Sequence, residues 1–268
     1  MRLYGPMKTI LKIGLDTGSQ DGSIAWALEH PGCFAAGKDG SEALLNMPRA
    51  FIRYCEWIER HSPNSWLSGI ADFDVRLVET FDCFSITKDF ERAAPVETQN
   101  LASLPAAPVE TQDFASLPAP QDDLYEIGSF FLHDWKPLTA GDVRRGLLLL
   151  EWSRTDLLAI VSGLSPEQRT RLHPGERWSI DGILKHVGGA EWWYMNNIGM
   201  ASIQRPRVSP DPDERLAQVR ARLCELLPEL VGLDKVVGHS GELWSPRKLL
   251  RRALWHELDH IGHIAKLI

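Results

Sequence analysis

Residues 247–264 read RKLLRRALWHELDHIGHI. Within this stretch Leu249, Ala253, His256, His260 and His263 recur at intervals of four or three, and Leu267 follows one turn later. The histidines therefore share a helical stripe with apolar residues, and that stripe is expected to face a buried interior. His256 and His260 are one turn apart, with Cβ atoms about 6 Å from each other, near enough for both rings to reach one ion. A helix that hides polar rings among apolar residues needs partner helices around it.

The sequence upstream supplies them. Long apolar-periodic segments cover 140–163, 180–199 and 213–233, with 246–268 as the fourth, and no strand pattern intervenes. Thr139 with Asp142 opens the first segment, while Trp178-Ser179 and Trp244-Ser245 precede the second and fourth. Each serine can cap free N–H groups, and each tryptophan can staple onto an apolar residue one turn in, Ile183 and Leu249 respectively. Pro246 falls at the first helical position, where its missing donor costs nothing. Four such helices predict an antiparallel-type four-helix bundle over 124–268.

Before the bundle comes a tandem duplication. PVETQNLASLPAA begins at Pro95 and PVETQDFASLPAP at Pro108. A 13-residue period is too short for a solenoid unit. Its prolines and alanines predict an extended linker over 91–123. Residues 1–90 read differently. KTILKIGLDTG, SIAWALEHPG and CFAAG are three short strand patterns bounded by Asp/Gly and Pro/Gly turns. Asp39 with Glu42 marks the start of a helix running to about His61, with Pro48 expected to kink it, and 73–86 reads as a final strand. The order βββαβ predicts an α+β layer, so the chain is expected to be multidomain, α+β followed by all-α.

Composition narrows the function. Four cysteines (Cys33, Cys55, Cys83, Cys224) form no C-x-x-C, and no signal peptide is evident, which predicts reduced thiols in the cytoplasm. No apolar run approaches the roughly 18 to 20 residues of a membrane helix. A formal net charge of -7 argues against nucleic acid as the principal partner.

The chemistry concentrates on histidine. On the second bundle helix His186 shares a face with Ile183, Ala190 and Trp193, so it can meet His256 and His260 across the core. Burying three imidazoles without partners would cost several kcal/mol, and a divalent cation satisfies their lone pairs together. Each ring taken singly is more often a partly exposed or hydrogen-bonded core residue than a ligand, and it is three together on inward stripes that point to a metal. His263 could be a fourth ligand, a proton carrier or a polar residue at the bundle end. His30, His61, His133, His173 and His239 lie in or beside loops, where exposure is expected. Trp192, Trp193 and Tyr194 could wall a pocket beside His186, or could be ordinary core. Arg247, Lys248, Arg251 and Arg252 crowd the start of the last helix, where the dipole disfavours positive charge. An anionic substrate could compensate them, but acidic residues between Asp211 and Glu225 are the expected partners.

His256-Glu257-x-x-His260 also spells H-E-x-x-H, a metalloprotease signature. A zincin takes its third ligand downstream. Here eight residues follow His260 in the sequence as given, and none is acidic. The third ligand must come from upstream, and Glu257 is turned about 100° from His256 around the helix. A bundle site is expected instead of a protease cleft.

WSIDGILKHVGGAEWWY (178–194) together with RKLLRRALWHELDHIGHI resembles the DinB-like superfamily, a four-helix bundle with one histidine on its second helix and H-x-x-x-H on its fourth. The resemblance places the family's metal ligands on His186, His256 and His260. It implies a divalent metal, frequent dimeric assembly, and thiol-dependent transferase or isomerase chemistry with small thiols such as mycothiol or bacillithiol. Relatives often end in H-R-G-Q, whereas here isoleucine and histidine stand at 261 and 263. IAWALEHPGCFAAGKDGSEALLNMPRAF (24–51) is similar to HicB-like sequences through Pro31-Gly32-Cys33, Gly37 and the helix start at Glu42-Ala43-Leu44. That likeness implies a small scaffold and assigns no catalytic residue.

The expected function is that of a DinB-like metal-binding protein, an enzyme of thiol S-transferase or hydrolase type acting on a small molecule. Three neutral imidazoles leave positions open on zinc, nickel, manganese or iron, and imidazole alone does not choose among them. A bound thiol would become a nucleophile, and a bound water would be acidified. The rivals are a non-catalytic protein whose HicB-like layer docks a partner, and a purely structural bundle.

Overall fold

The computed structural model describes residues 9–19, 22–70, 72–87 and 124–268. The expected linker at 91–123, with its repeat, lies outside the described residues. Strands β1 (Thr9–Ser19), β2 (Gly22–Ala27) and β3 (Phe34–Gly37) form an antiparallel meander, and β4 (Phe73–Asp82) joins β1 in parallel after helix α1 (Gly40–His61). The sheet order is β3-β2-β1-β4. The βββαβ order read from the sequence is the order observed.

Helix α1 starts where the sequence places it. Asp39 caps it by accepting from the Glu42 N–H at 2.9 Å. Gly37 is required just before, because a Cβ there would stand 2.3 Å from the Ala43 backbone nitrogen. Pro48 lies inside the helix on its exposed face, and the helix runs through it unbroken. The opposite face presents Ala43, Met47, Phe51, Tyr54 and Ile58 to Leu11, Ile13 and Ala25 of the sheet. Central strand β1 is buried on both sides from Ile13 to Asp16. Its far side meets Phe131, whose ring would be 2.8 Å from a Cβ at Gly14.

The strand expected over 73–86 divides at Cys83. The Cys83 N–H donates to the Thr17 carbonyl at 2.6 Å, the last such bond to β1. Strand β5 (Phe84–Thr87) then turns away to pair with β6 (Leu124–Ile127). A single long apolar run thus serves two sheets.

Beyond it, α2 (Ala140–Val161), α4 (Ile180–Asn197), α5 (Pro212–Leu226) and α6 (Pro246–Ile264) form the bundle, with a short α3 (Pro166–Thr170) before α4. Helix α6 packs on α2 and α4, and α4 packs on α5. The ring closes from α5 to α2 through Arg154, which donates to the Leu216 carbonyl at 2.6 Å. Thr139, Ser179 and Ser245 cap α2, α4 and α6 as the sequence indicates. Two readings need correction. The third bundle helix ends at Leu226, and a 3-10 turn follows over 227–230. Pro228 in that turn has no N–H to continue the α ladder. A hairpin of β7 (Val237–His239) and β8 (Glu242–Trp244) then stands where no strand was expected, closed by Ser240 and Gly241 at positive φ.

Layer and bundle meet in one hydrophobic cluster that runs from Leu11, Met47 and Trp57 to Leu149, Trp152 and Leu250. Trp26 of β2 packs on Trp255 of α6 at 5.4 Å between ring centroids. The Trp57 indole N–H donates to Asp156 of α2 at 2.7 Å. Among the described residues no helix is long and apolar enough to cross a membrane.

Candidate metal centre

The capped start of α4 and the apolar stripe of α6 aim three imidazoles at one point. The His256 and His186 Nε2 atoms are 3.0 Å apart, and those of His260 and His256 are 3.2 Å apart. The three ligand atoms all lie within 4.8 Å of one another. Around a tetrahedral ion with Zn–N bonds of about 2.0–2.1 Å, neighbouring nitrogens stand about 3.4 Å apart. The donor set fits a divalent ion in number and chemistry, and two of its spacings are close to that value.

The electrostatics agree. Burial, followed by the neighbouring rings of His260 and His186, pushes His256 well below the ordinary imidazole range. Burial and His186 lower His260 to about 4, and burial also lowers His186, with Arg177 adding to it. Near neutral pH these rings are uncharged and keep a lone pair each. The Trp178 ring stacks on His186 at 4.4 Å and 25°, which fixes that imidazole. The buried Nδ1 atoms of His256 and His260 have no protein partner among the described residues. Two such buried groups cost about 1–3 kcal/mol each.

His263 stands outside the cluster. Its Nε2 meets Glu176 at 2.8 Å, while its ring lies 5.8 Å from that of His260. Glu257 is fully buried and points elsewhere, as its angle on the helix requires. Its carboxylate takes Arg154 Nε at 2.6 Å, Arg220 Nη2 at 2.7 Å and the Ser153 hydroxyl. Burial alone would raise this carboxyl, but Arg220 and Arg154 hold it below its ordinary value. Both arginines also reach Glu191 of α4. The glutamate of the H-E-x-x-H string is thus a structural anion shared by three helices.

A cleft of about 720 Å³ opens beside His186 and His256. Trp178, Trp193, Tyr194 and Trp255 wall it, whereas Trp192 turns away and donates its indole N–H to the Ile203 carbonyl at 2.7 Å. Lys185, Arg205, Arg215 and Arg252 also line the cleft, and among the described residues no carboxylate, cysteine, serine or threonine does. The sequence reading missed Trp178, Trp255, Arg205, Arg215 and Glu176. An adjoining cleft of about 530 Å³ shares Trp193, Arg252 and Trp255 and is walled partly by Asp16, Ile24 and Phe34 of the layer.

Two expectations about charge and exposure fail. The cations opening α6 are not paired with residues 211–225. Arg247 meets Asp142 at 2.9 Å, Lys248 meets Glu242 at 2.5 Å and Arg251 meets Asp134 at 2.6 Å. Nor are the loop histidines all exposed. His30 packs on Phe51, and His61 stacks on Trp152 and bonds Asp156 at 3.1 Å. His133 is half-buried, 3.3 Å from Arg247.

The family model of the DinB superfamily matches residues 149–264, so this part of the chain carries a DinB-like domain. A solved structure, YfiT from Bacillus subtilis, is described as a probable metal-dependent hydrolase with an unusual four-helix bundle topology. It is 18% identical over 51% of this chain and 93% of its own, with a TM-score of 0.39. No curated protein matches the chain.

Proposed function

We propose that the protein is a metal-dependent enzyme of hydrolase or thiol S-transferase type acting on a small molecule, with His186, His256 and His260 holding a divalent zinc, nickel, manganese or iron ion. The observation that carries this reading is the convergence of three neutral imidazole nitrogens, 3.0 and 3.2 Å apart, at the side of an open cleft. Such an ion, when bound, would acidify a water or thiol ligand. Trp178 fixes the orientation of His186, and buried Leu249 and Ala253 keep water out behind the α6 histidines. Trp193, Tyr194 and Trp255 give the substrate an apolar wall. Among the described residues the cleft lining has no cysteine, serine or threonine, and in this reading the nucleophile arrives from solution. Water would make the reaction a hydrolysis. A small thiol such as mycothiol or bacillithiol would make it a transfer.

Glu257 cannot serve as a protease base while two arginines and a serine occupy its oxygens. The N-terminal layer, HicB-like in its sequence pattern, acts in this reading as a wall of the adjoining cleft. Its core is continuous with the bundle, which disfavours a separate docking module.

The test is metal analysis by mass spectrometry on protein purified without chelator. One equivalent of metal is expected, lost in His186→Ala, His256→Ala and His260→Ala. Stoichiometric metal surviving all three substitutions would overturn the site. Turnover of an activated ester without thiol would assign hydrolysis, and turnover of an alkylating substrate only with added thiol would assign transfer.

A further inference from the structure

Four cations open α6, and three of them have a carboxylate of their own: Arg247 has Asp142, Lys248 has Glu242 and Arg251 has Asp134. Arg252, the fourth, meets no carboxylate within ion-pair distance among the described residues. Its guanidinium lies 4.3 Å over the Trp255 ring, the Tyr194 hydroxyl is its hydrogen-bonding neighbour, and its Nε is buried without a partner. Glu242 and Asp16 act on it only from farther off. It lines the cleft one helical turn before His256.

The other cations of the cleft are in the same condition. Arg215 donates to the carbonyls of Ser209 at 2.7 Å and Lys185 at 3.3 Å, and Arg205 stacks on Trp192 at 4.9 Å. Neither they nor Lys185 has a carboxylate within ion-pair distance among the described residues. In a chain of net charge -7, this cleft is lined, among the described residues, by four cations and no anion. Charges of one sign in a cleft with low-dielectric walls focus their field on whatever enters. An arginine held by stacking is pre-organised to receive a carboxylate or phosphate through its planar fork.

We propose that the cleft takes small substrates bearing an oxyanion group, a carboxylate or a phosphate, and that Arg252 receives that group and so sets specificity. The proposal rests on reading the three histidines as a metal site, since the metal defines where the reacting end of the substrate lies.

The test loads the full chain with Co(II) and titrates three thiols on the same two-carbon chain: 2-mercaptoethanesulfonate, 2-mercaptoethanol and thiocholine. Their sulfur anchors on the metal, and their tails are anionic, neutral and cationic groups that bind metal poorly. The thiolate-to-cobalt absorption band reports binding. The sulfonate is expected to bind about tenfold or more tighter than the alcohol, the scale of one charge-assisted hydrogen bond, with thiocholine weakest. Arg252→Met should cut the sulfonate-to-alcohol ratio to within about twofold while Co(II) stoichiometry is kept, and Arg252→Lys should restore part of it. Arg215→Met, on another helix, should reduce the ratio less, and it keeps the test decisive if Arg252→Met fails to fold. Equal affinities for all three tails in the Co(II)-loaded protein would overturn this proposal and leave the metal site standing. Absence of Co(II) uptake would overturn the metal reading and this proposal with it.

Discussion

Two buried polar faces lie about 100° apart on α6 and are treated in opposite ways. On one, both oxygens of Glu257 are occupied by Arg154, Arg220 and Ser153, drawn from α2 and α5. On the other, His256 and His260 face His186 nitrogen to nitrogen, and their remaining ring nitrogens have no protein partner among the described residues. Similar burial therefore yields different energetics. The saturated face contributes to holding the helices together, whereas on the histidine face three Nε2 atoms crowd one point, an arrangement that a bound cation would stabilise. Glu257 is a structural anion, whereas the histidine nitrogens converge with no carboxylate or arginine between them.

Removing the anion should break the comparison hardest. Glu257→Ala leaves Arg154 and Arg220 buried with only Glu191 between them, and breaking a buried pair in this way costs about 3–5 kcal/mol. Against a total of about 5–15 kcal/mol for a natural domain, urea unfolding should show a marginal or unfolded protein. His256→Ala should do the reverse. Without metal its stability should change by less than about 1–2 kcal/mol, because lost packing is offset by relief of an unpaired nitrogen. With metal at about a hundred times its dissociation constant, the wild type should gain about 2.7 kcal/mol and the variant nothing. Equal destabilisation by the two substitutions in metal-free protein would erase the distinction between the faces.

How far the sequence revealed this contrast follows from what periodicity can encode. Spacing along one helix placed Leu249, Ala253, His256 and His260 on an inward stripe and His186 on a facing one, and the structure brings all three rings together. The same spacing turned Glu257 away from the histidines. It could not say toward what, because the partners of Glu257 stand on other helices, Arg154 at a separation of 103 residues and Arg220 at 37. The head of α6 fails for the same reason: Asp134 lies 117 residues from Arg251. Strands β7 and β8 have three residues each, too few to show alternation, although Ser240-Gly241 was a legible turn signal. The loop histidines were misread because loops that cross the junction of layer and bundle are covered by it.

Those misread histidines sharpen the comparison, since they supply burial without convergence. Burial lowers His30 to about 4, with Glu29 opposing, and burial and Arg247 lower His133 to about 4. In the unfolded chain an imidazole titrates near 6.5. Between about pH 6.5 and 4 the unfolded state therefore binds protons that the folded state refuses. Stability should fall as pH drops through that window and should not depend on these two groups above it. Urea midpoints measured from pH 8 to 4 in the presence of chelator should show the decline, and His30→Gln with His133→Gln should reduce its slope, the rest coming from His186, His256 and His260. A slope unchanged by the double substitution would mean that neither ring is kept neutral by the fold.

The smallest expected effect probes how redundant the saturated face is. Ser153 is fully buried and gives its hydroxyl proton to the Glu257 oxygen that Arg220 also reaches. Ser153→Ala removes one donor of three, and the carboxylate keeps both guanidinium groups. The cost should therefore be that of one hydrogen bond to a charged group already paired, about 1 kcal/mol, which is a shift of a few degrees in Tm for a chain of this size. The substituted alanine leaves no polar atom of its own to satisfy. Metal stoichiometry should be unchanged, because this hydroxyl faces away from the imidazoles. A loss of about 3 kcal/mol or more would mean that the two arginines do not by themselves compensate the buried anion. The saturated face would then depend on all three donors at once, and its contrast with the histidine face would be one of degree.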